Sequence, residues 1–348
     1  MSNIYSGAKS FAIKGQLLDK STIEKLAESS SIEEFVNRLK TTSYSNYISQ
    51  LSLPYYSRKL ELAFRARLAD VHFSLVNATN SKLVETFYLR RIAWDLKTAL
   101  KSKVLNKTYE ETVEFIDMKA EELVGRRDLI VKVISARDIN ESLTLLSGTE
   151  FYKDVERAVS AYMSTGEIRV FDTYIDHSVL SQISKEFSSN KSSYRSRSYV
   201  SDVESIVAEE IDSYNVLTVL RSKVWKISEE EVRSLMITPS FIVPTEVLAR
   251  MISTESVEEA AKFLPERYLY GIAQKDEESI IDTVEQNFAV EGIRTASRAF
   301  LWQGLSLAVV LALIKLLENE VINLSAIAVG VESGIEPKRI LSKLLFAM

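Results

Sequence analysis

Apolar residues recur at helical spacing along most of the chain, and the predicted helices follow a pattern that occurs three times. Each repeat opens with a helix-start box, in which a serine or aspartate stands three positions before a glutamate. The boxes are Ser31–Glu34, Asp138–Glu141 and Ser256–Glu259, and the apolar residues after them end in Leu39, Leu146 and Leu264. Each repeat also contains a helix with polar residues at fixed places, called here a marked helix. The marked helices are Trp94–Val104, Tyr214–Val224 and Ile322–Val331.

The first two marked helices share five of eleven residues. The shared residues are Thr98, Leu100, Ser102, Lys103 and Val104 in the first helix, and Thr218, Leu220, Ser222, Lys223 and Val224 in the second. Chance rarely produces this many identities at one offset. The chain is therefore predicted to be a threefold internal duplication with segments 1–107, 108–226 and 227–348.

The boxes predict where helices begin. The first side chain accepts from a free backbone amide of the first turn, and the glutamate reaches back to the amide of the cap residue. A second start signal follows each marked helix: Thr108 with Glu111, Ser228 with Glu231, and Glu336 with Pro337. The second segment is the longest, and the polar stretch Phe187–Asp202 predicts an inserted, mobile surface loop there.

The fold class that this periodicity predicts is all-α. Ile168–Ile175 is the one stretch that could be strand or helix, and loops are expected at Leu53–Pro54, Gly166, Thr238–Pro244 and Pro265. Because repeated units tend to repeat their contacts, three related helical subdomains should surround a common pseudo-threefold axis or form a curved array.

Composition narrows the class of protein. A chain of 348 residues with 26% charged and 46% hydrophobic residues is long enough for two or three compact pieces. A net charge of −5 does not favour a nucleic acid or an anionic membrane as the partner of the whole molecule. Cysteine is absent, which excludes disulfides and thiol chemistry, and MSNIYSGAKSF lacks an apolar signal core, which predicts a protein that is not secreted.

The most apolar run is Ala299–Leu317. It has 16 residues between Arg298 and Lys315 and contains Gln303, Gly304 and Ser306. Spanning a bilayer takes about 20 predominantly apolar residues. We expect a buried core helix rather than a membrane span.

Candidate chemistry is sparse. His72 and His177 lie about one repeat apart without neighbouring ligands at metal spacing, so we interpret them as equivalent helix-surface positions. No phosphate-binding glycine motif occurs. Two basic sets, taken as solvated faces rather than nucleic-acid sites, are Arg90, Arg91, Lys97, Lys101, Lys103 and Lys107, and Tyr194, Arg195, Arg197 and Tyr199. The sequence predicts no catalytic residue, no metal ion, no cofactor and no small-molecule substrate.

The polar residues of the marked helices form a repeat signature: Asp95, Lys101, Asp212, Asn215, Arg221, Glu320 and Asn323. Asp212 and Asn215 share a helix face, and Glu320 and Asn323 repeat the pair. The first repeat has Ile92 at the acidic position, and the third has Val329 at the basic one. These residues could form a surface that binds a partner. We favour a role in hydrogen bonds that fix helix packing within each repeat, because polar residues that recur in every repeat are more often needed for the structure of the repeat than for a single partner.

Several segments resemble the C subunit of archaeal-type (A-type or V-type) rotary ATP synthases, which is related to the d subunit of vacuolar proton pumps. The resemblance rests on the marked helices, the early AKSFAIKGQLL after Tyr5, and the closing ENEVINLSAIAVGVESGIEPKRI, its most specific part. It spans the whole chain.

The resemblance implies a non-catalytic, all-helical, funnel-shaped rotor subunit on the cytoplasmic face of the membrane. Its partners would be the central shaft of the ATPase head and the membrane rotor ring of proteolipid subunits, with proton or sodium transport linked to ATP. Two alternatives stay open. One is a free-standing helical scaffold that binds a protein or RNA in a concave surface, and the other is a hydrolase that uses buried carboxylates.

Overall fold

The computed structural model describes residues 2–190, 197–302 and 304–346, and these residues form helices and turns without a strand. The predicted all-α class is confirmed. The helices are α1 Ser2–Lys14, α2 Lys20–Ala27, α3 Ile32–Leu39, α4 Ser45–Ile48, α5 Ser57–Thr79, α6 Lys82–Val104, α7 Tyr109–Val113, α8 Lys119–Leu123, α9 Arg127–Ser135, α10 Ile139–Leu145, α11 Tyr152–Thr165, α12 Val170–Asn190, α13 Arg197–Trp225, α14 Glu229–Ser234, α15 Thr245–Ile252, α16 Val257–Ala261, α17 Glu277–Trp302, α18 Leu307–Glu332 and α19 Pro337–Leu341, with a 3-10 turn at Glu266–Tyr268.

The chain divides into two compact units. Unit 1 contains Met1–Val84, Val113–Arg127 and Ile293–Met348. Unit 2 contains Glu85–Thr112 and Asp128–Gly292. A division by compactness does not test whether the chain consists of three related segments, so that division stays a prediction.

Unit 1 is built around α18, which packs on α5 and also contacts α1, α2 and α3. Every residue from Leu307 to Ile314 is buried, so this part of α18 is apolar on all sides. A helix without a polar face must be enclosed by other elements. The core of unit 2 joins α13 to α15, α16 and the beginning of α17, with Val216, Leu220, Met251 and Val284 among its buried residues.

The predicted run Ala299–Leu317 is not one helix. α17 ends at Trp302 and α18 begins at Leu307, so Gly304 and Ser306 belong to a break. The run is buried where α18 begins, as expected. No helix of the described residues is both long and apolar enough to cross a membrane.

The predicted insertion Phe187–Asp202 is largely helical where it can be described. α12 continues to Asn190 and α13 begins at Arg197, while residues 191–196 lie outside the described residues. Phe187 is buried, with its ring centroid 6.1 Å from that of Phe241. The ambiguous stretch Ile168–Ile175 enters helix α12 at Val170.

All three helix-start boxes form. The amides of Glu34, Glu141 and Glu259 donate to the side chains of Ser31, Asp138 and Ser256 over 3.2, 2.9 and 3.2 Å. The return bond differs from the prediction, because each glutamate carboxylate accepts from the residue before the cap. Those donors are the amides of Ser30, Arg137 and Glu255. The carboxylate thus satisfies an amide just outside the helix, and it does so identically in all three boxes.

A further helix precedes each box, with its buried face in the same register. The matching buried residues are Ile23, Leu26 and Ala27 of α2, Ile130, Val133 and Ile134 of α9, and Leu248, Met251 and Ile252 of α15. A pair of short helices therefore surrounds each of the three boxes.

We predict that Ser256→Ala lowers the free energy of unfolding by about 1 kcal/mol, since the amide of Glu259 loses its acceptor at the start of α16. Denaturant unfolding of the two proteins measures the difference. Ser256→Asp keeps an acceptor and serves as the control. Equal losses in the alanine and aspartate variants would contradict the capping role.

Candidate functional site

The repeat signature places two buried asparagines in matching contacts. In unit 2, the side chain of Asn215 donates to the carbonyl of Ile237 and accepts from the amide of the same residue, each over 2.9 Å. In unit 1, Asn323 makes the same pair of bonds with Leu345, over 2.8 and 3.0 Å. The partner lies 22 residues after the asparagine in both cases. Each amide side chain therefore fixes the backbone of the segment that follows its marked helix.

Asp212, three residues before Asn215, binds the same loop. Its fully buried carboxylate accepts from the amides of Phe241, Ile242 and Val243 and from the hydroxyl of Ser240. Burial raises the pKa of the Asp212 carboxyl, and the three amides and the hydroxyl oppose the rise by stabilising the charged form. Four converging donors make this carboxylate an anchor for the chain between α14 and α15.

Glu320 is the matching acid of unit 1, and its partners are different. Its carboxylate accepts from the guanidinium of Arg67 over 3.1 Å, the hydroxyl of Tyr44 over 2.8 Å and the amide of Leu18 over 2.6 Å. Both members of the Arg67–Glu320 ion pair are buried, and the Arg67 guanidinium also lies over the Tyr44 ring. Burial raises the pKa of the Glu320 carboxyl, against the opposing effect of Arg67 and the two hydrogen bonds. One carboxylate thus joins α18 to α4, α5 and the start of α2.

The amide donors to the two acids correspond in sequence. Leu18 stands as far before the box residue Ser31 as Val243 stands before Ser256. In unit 2 the donors follow the marked helix along the chain, whereas the amide donor to Glu320 lies far from α18 in the sequence. The segment before the first box supplies the equivalent amide.

The remaining signature residues behave differently from one repeat to the next. Asp95 is buried, and Ile92 beside it is part of the apolar core. Lys101 forms an ion pair with Asp172 over 2.8 Å, and Arg221 forms one with Glu285 over 2.7 Å. In each pair the base belongs to a marked helix and the acid to a long helix of the next predicted segment. Val329, at the same position in the third repeat, is half exposed.

Two other predictions from the sequence are changed by the structure. His72 is fully buried and bonds the carbonyl of Val84, and His177 is half-buried against Asp154, so neither is a simple helix-surface residue. The basic set on α6 is partly neutralised, because Lys97 pairs with Asp176 and Arg90 with Glu210. Tyr194 and Arg195 of the second basic set lie outside the described residues.

A polar cluster in unit 2 was missed by the sequence interpretation. Asp154 accepts from His177, Ser178 and Arg157, and Arg157 also donates to Glu231. Burial acts to raise the pKa of Asp154, but these donors outweigh it and hold that pKa below its usual range. Of its members, the sequence analysis had singled out only His177, as a helix-surface residue, and Glu231, as a capping residue.

These contacts satisfy side chains with backbone groups and with opposite charges, so they hold segments together. Within the described residues, no group of three or more histidine, aspartate or glutamate side chains is arranged to hold a metal ion. The signature contacts of both units therefore join parts of the fold to one another. Their contribution to stability is a prediction, and the Discussion gives the measurement.

A model of the ATP synthase (C/AC39) subunit family matches residues 7–343. The chain belongs to this family. The family that the sequence analysis identified by resemblance is thereby confirmed, and the expected role of a subunit without catalytic residues agrees with it.

Named relatives support the same assignment. The chain is 26% identical over 286 residues to the C subunit of the A-type ATP synthase of Pyrococcus abyssi, covering 78% of this chain and 71% of that protein. It is 26% identical over 351 residues to the C subunit of the A-type ATP synthase of Thermococcus onnurineus, covering 97% and 88%. A third relative of the same name, from Pyrococcus horikoshii, is 28% identical over 218 residues, covering 60% and 55%.

Proposed function

We propose that the chain is a non-catalytic central-stalk rotor subunit of an A/V-type ATP synthase, which joins the central shaft of the ATPase head to the membrane rotor ring. The family match over residues 7–343 is the observation that carries the proposal. The protein would be peripheral, on the cytoplasmic face of the membrane. It would link ATP turnover to proton or sodium movement without binding a nucleic acid or a small-molecule substrate.

The packing of the signature residues supports this role. A coupler transmits torque through its fold, so its helices must keep their positions under load. Buried side chains such as Asn215, Asp212 and Glu320 tie loops and helices together at several points in each unit. Buried polar groups are costly to separate from their partners, because they would be left unsatisfied in a low-dielectric interior.

We also propose that segments 1–107, 108–226 and 227–348 are related helical repeats around a pseudo-threefold axis and form a funnel-shaped socket for the shaft. The shared register of the boxes and the paired asparagine contacts support common descent of the segments. A stable socket and a stable ring contact would each bury on the order of 1,200–2,000 Å².

The test is reconstitution of the complete rotary complex into vesicles with and without this chain. We expect ATP hydrolysis by the head to continue without the chain, while ATP-driven ion transport is abolished, because a coupler takes part in transmission and not in hydrolysis. Hydrolysis and ion movement are measured in the same vesicles, and adding back the purified chain should restore transport. Full pumping without the chain, or ATPase activity in the purified chain, would contradict the proposal.

A further inference from the structure

Helix α1 has three of its four large apolar residues on the outside. Ser6, Gly7 and Ser10 are buried, whereas Ile4, Tyr5 and Phe11 are 61%, 63% and 38% exposed. A surface helix of a globular protein normally turns its large apolar side chains inward. The arrangement of α1 is the reverse, and it leaves Ile4 and Tyr5 mostly exposed on unit 1.

The small residues explain why this face stays outside. α1 packs closely on α5 and α18, and a Cβ atom at Gly7 would lie only 2.6 Å from the Cα of Leu305. Lys9 also donates from Nζ to the carbonyl of Ser74 over 3.2 Å. A rotation that buried Tyr5 or Phe11 would remove these contacts and bring larger side chains against the Leu305 backbone. The orientation of α1 is thus fixed by packing.

A second segment extends the apolar face. The Phe11 ring makes an edge contact with Phe300, with centroids 5.1 Å apart, and Leu301 beside it is 73% exposed. Leu305, which contacts α1 at Gly7, is 42% exposed. We define the apolar patch of unit 1 as Ile4, Tyr5, Phe11, Leu301 and Leu305. A group of exposed apolar side chains on neighbouring segments is typical of a binding site for another apolar surface.

The charges of the two segments have one sign. Residues 1–18 and 292–317 contain no aspartate or glutamate, although the whole chain has a net charge of −5. Their charged residues are Lys9, Lys14, Arg294, Arg298 and Lys315. Lys14 lies at the edge of the patch, with Nζ 4.9 Å from the Phe300 ring centroid. An interface with another protein can have both acidic and basic residues at its rim, so it would not require the absence of acidic residues from these two segments.

We propose that the apolar patch of unit 1 binds the headgroup region of a bilayer that contains anionic phospholipid. The apolar side chains would enter the interface, where Tyr5 can keep its hydroxyl at the headgroup level, and Lys14 and Arg298 would lie near phosphates. The uniform positive charge of both segments favours a lipid surface over a protein partner. This inference rests on the proposed function and extends it, because that function places the chain at a membrane ring but assigns no lipid contact.

The test uses the purified full chain and lipid vesicles without any other protein. One set contains phosphatidylcholine alone, and the other contains phosphatidylglycerol as roughly a third of the lipid. Co-sedimentation should show binding at least about tenfold tighter to the anionic vesicles, since each cation near the surface contributes about fivefold, and added salt should weaken it. Tyr5→Trp should show a blue-shifted emission on anionic vesicles.

Matched variants identify the surface. Tyr5→Ser combined with Leu301→Ser should lower vesicle binding by about tenfold or more, and Lys14→Gln combined with Arg298→Gln should abolish the preference for anionic lipid. The control combines Met163→Ser with Tyr270→Ser, because these residues of unit 2 are 66% and 84% exposed but lie outside the patch. Tyr270→Trp is the control for emission. Denaturant unfolding verifies that each variant is folded.

Three results would overturn the proposal: absence of binding to anionic vesicles, equal binding to both vesicle types, or equal losses in the patch and control variants. Capture of the detergent-purified rotor ring through the patch, without vesicle binding, would instead identify a protein interface and reject the lipid assignment. Because the vesicles contain no other protein, a negative result leaves the coupling function to be decided by its own reconstitution.

Discussion

Replacing Arg67 by methionine is expected to lower the free energy of unfolding by about 3–5 kcal/mol, the cost of leaving a buried carboxylate without its cation. Arg67 and Glu320 are 4% and 5% exposed in their side chains, and Glu320 retains only neutral donors once the guanidinium is gone. The measurement is equilibrium unfolding in denaturant at neutral pH. Because Arg67 also lies over the Tyr44 ring, part of the loss will come from packing.

Two comparisons isolate the electrostatic part. Adding Glu320→Gln to Arg67→Met should recover stability, because the uncompensated charge is removed. Arg221→Met breaks an ion pair whose members are 28% and 48% exposed, so its electrostatic loss should be only about 0–1 kcal/mol. If the Arg67 and Arg221 variants lost equal stability, the buried ion pair would contribute no more to the free energy of unfolding than the exposed one.

Replacing Asn215 by leucine should lower the free energy of unfolding by about 1–3 kcal/mol, because the buried amide and carbonyl of Ile237 would both lose their partner. Asn323→Leu should have a smaller effect of the same sign, because the amide of Leu345 loses its acceptor while its carbonyl keeps the bond from Asn319 over 3.1 Å. Asn287→Leu is the matched control. Its amide donates to the carbonyls of Tyr268 and Tyr270 at a more exposed site, where water can replace it.

The result separates the two interpretations of the signature. A lower denaturant midpoint for Asn215→Leu and Asn323→Leu, with a smaller change for Asn287→Leu, would establish a packing role. An unchanged midpoint together with loss of shaft binding would make Asn215 an interface residue and reject the interpretation that we favour.

The sequence was most informative where structure depends on near neighbours. The boxes at Ser31, Asp138 and Ser256 correctly gave the starts of three helices, because a cap is a hydrogen bond within one helical turn. Helical periodicity gave the all-α class for the same reason. Even so, the return bond of each glutamate was assigned one residue too far along, since two neighbouring amides are free at a helix start and sequence does not choose between them.

The signature was found from the sequence, but its contacts were not. Recurrence in the sequence predicted that Asp212, Asn215, Glu320 and Asn323 belong to a repeat, but it could not show that the asparagines bind the segments after their helices. The contacts of Glu320 are the clearest case. Its partners Leu18, Tyr44 and Arg67 lie 253 to 302 residues before it in the sequence, so only tertiary packing brings them to its carboxylate.

The apolar face of α1 was decided by tertiary packing alone. Sequence patterns assign large apolar residues to the interior, and nothing in the sequence of α1 contradicts that assignment for Tyr5 or Phe11. The structure turns Gly7 inward because only a residue without a Cβ atom allows the Leu305 backbone to approach so closely. Sequence thus determined the helices and the recurring polar positions through local hydrogen bonds and periodicity. Packing between distant segments decided which side chains meet and which face stays exposed, since steric fit depends on both surfaces at once.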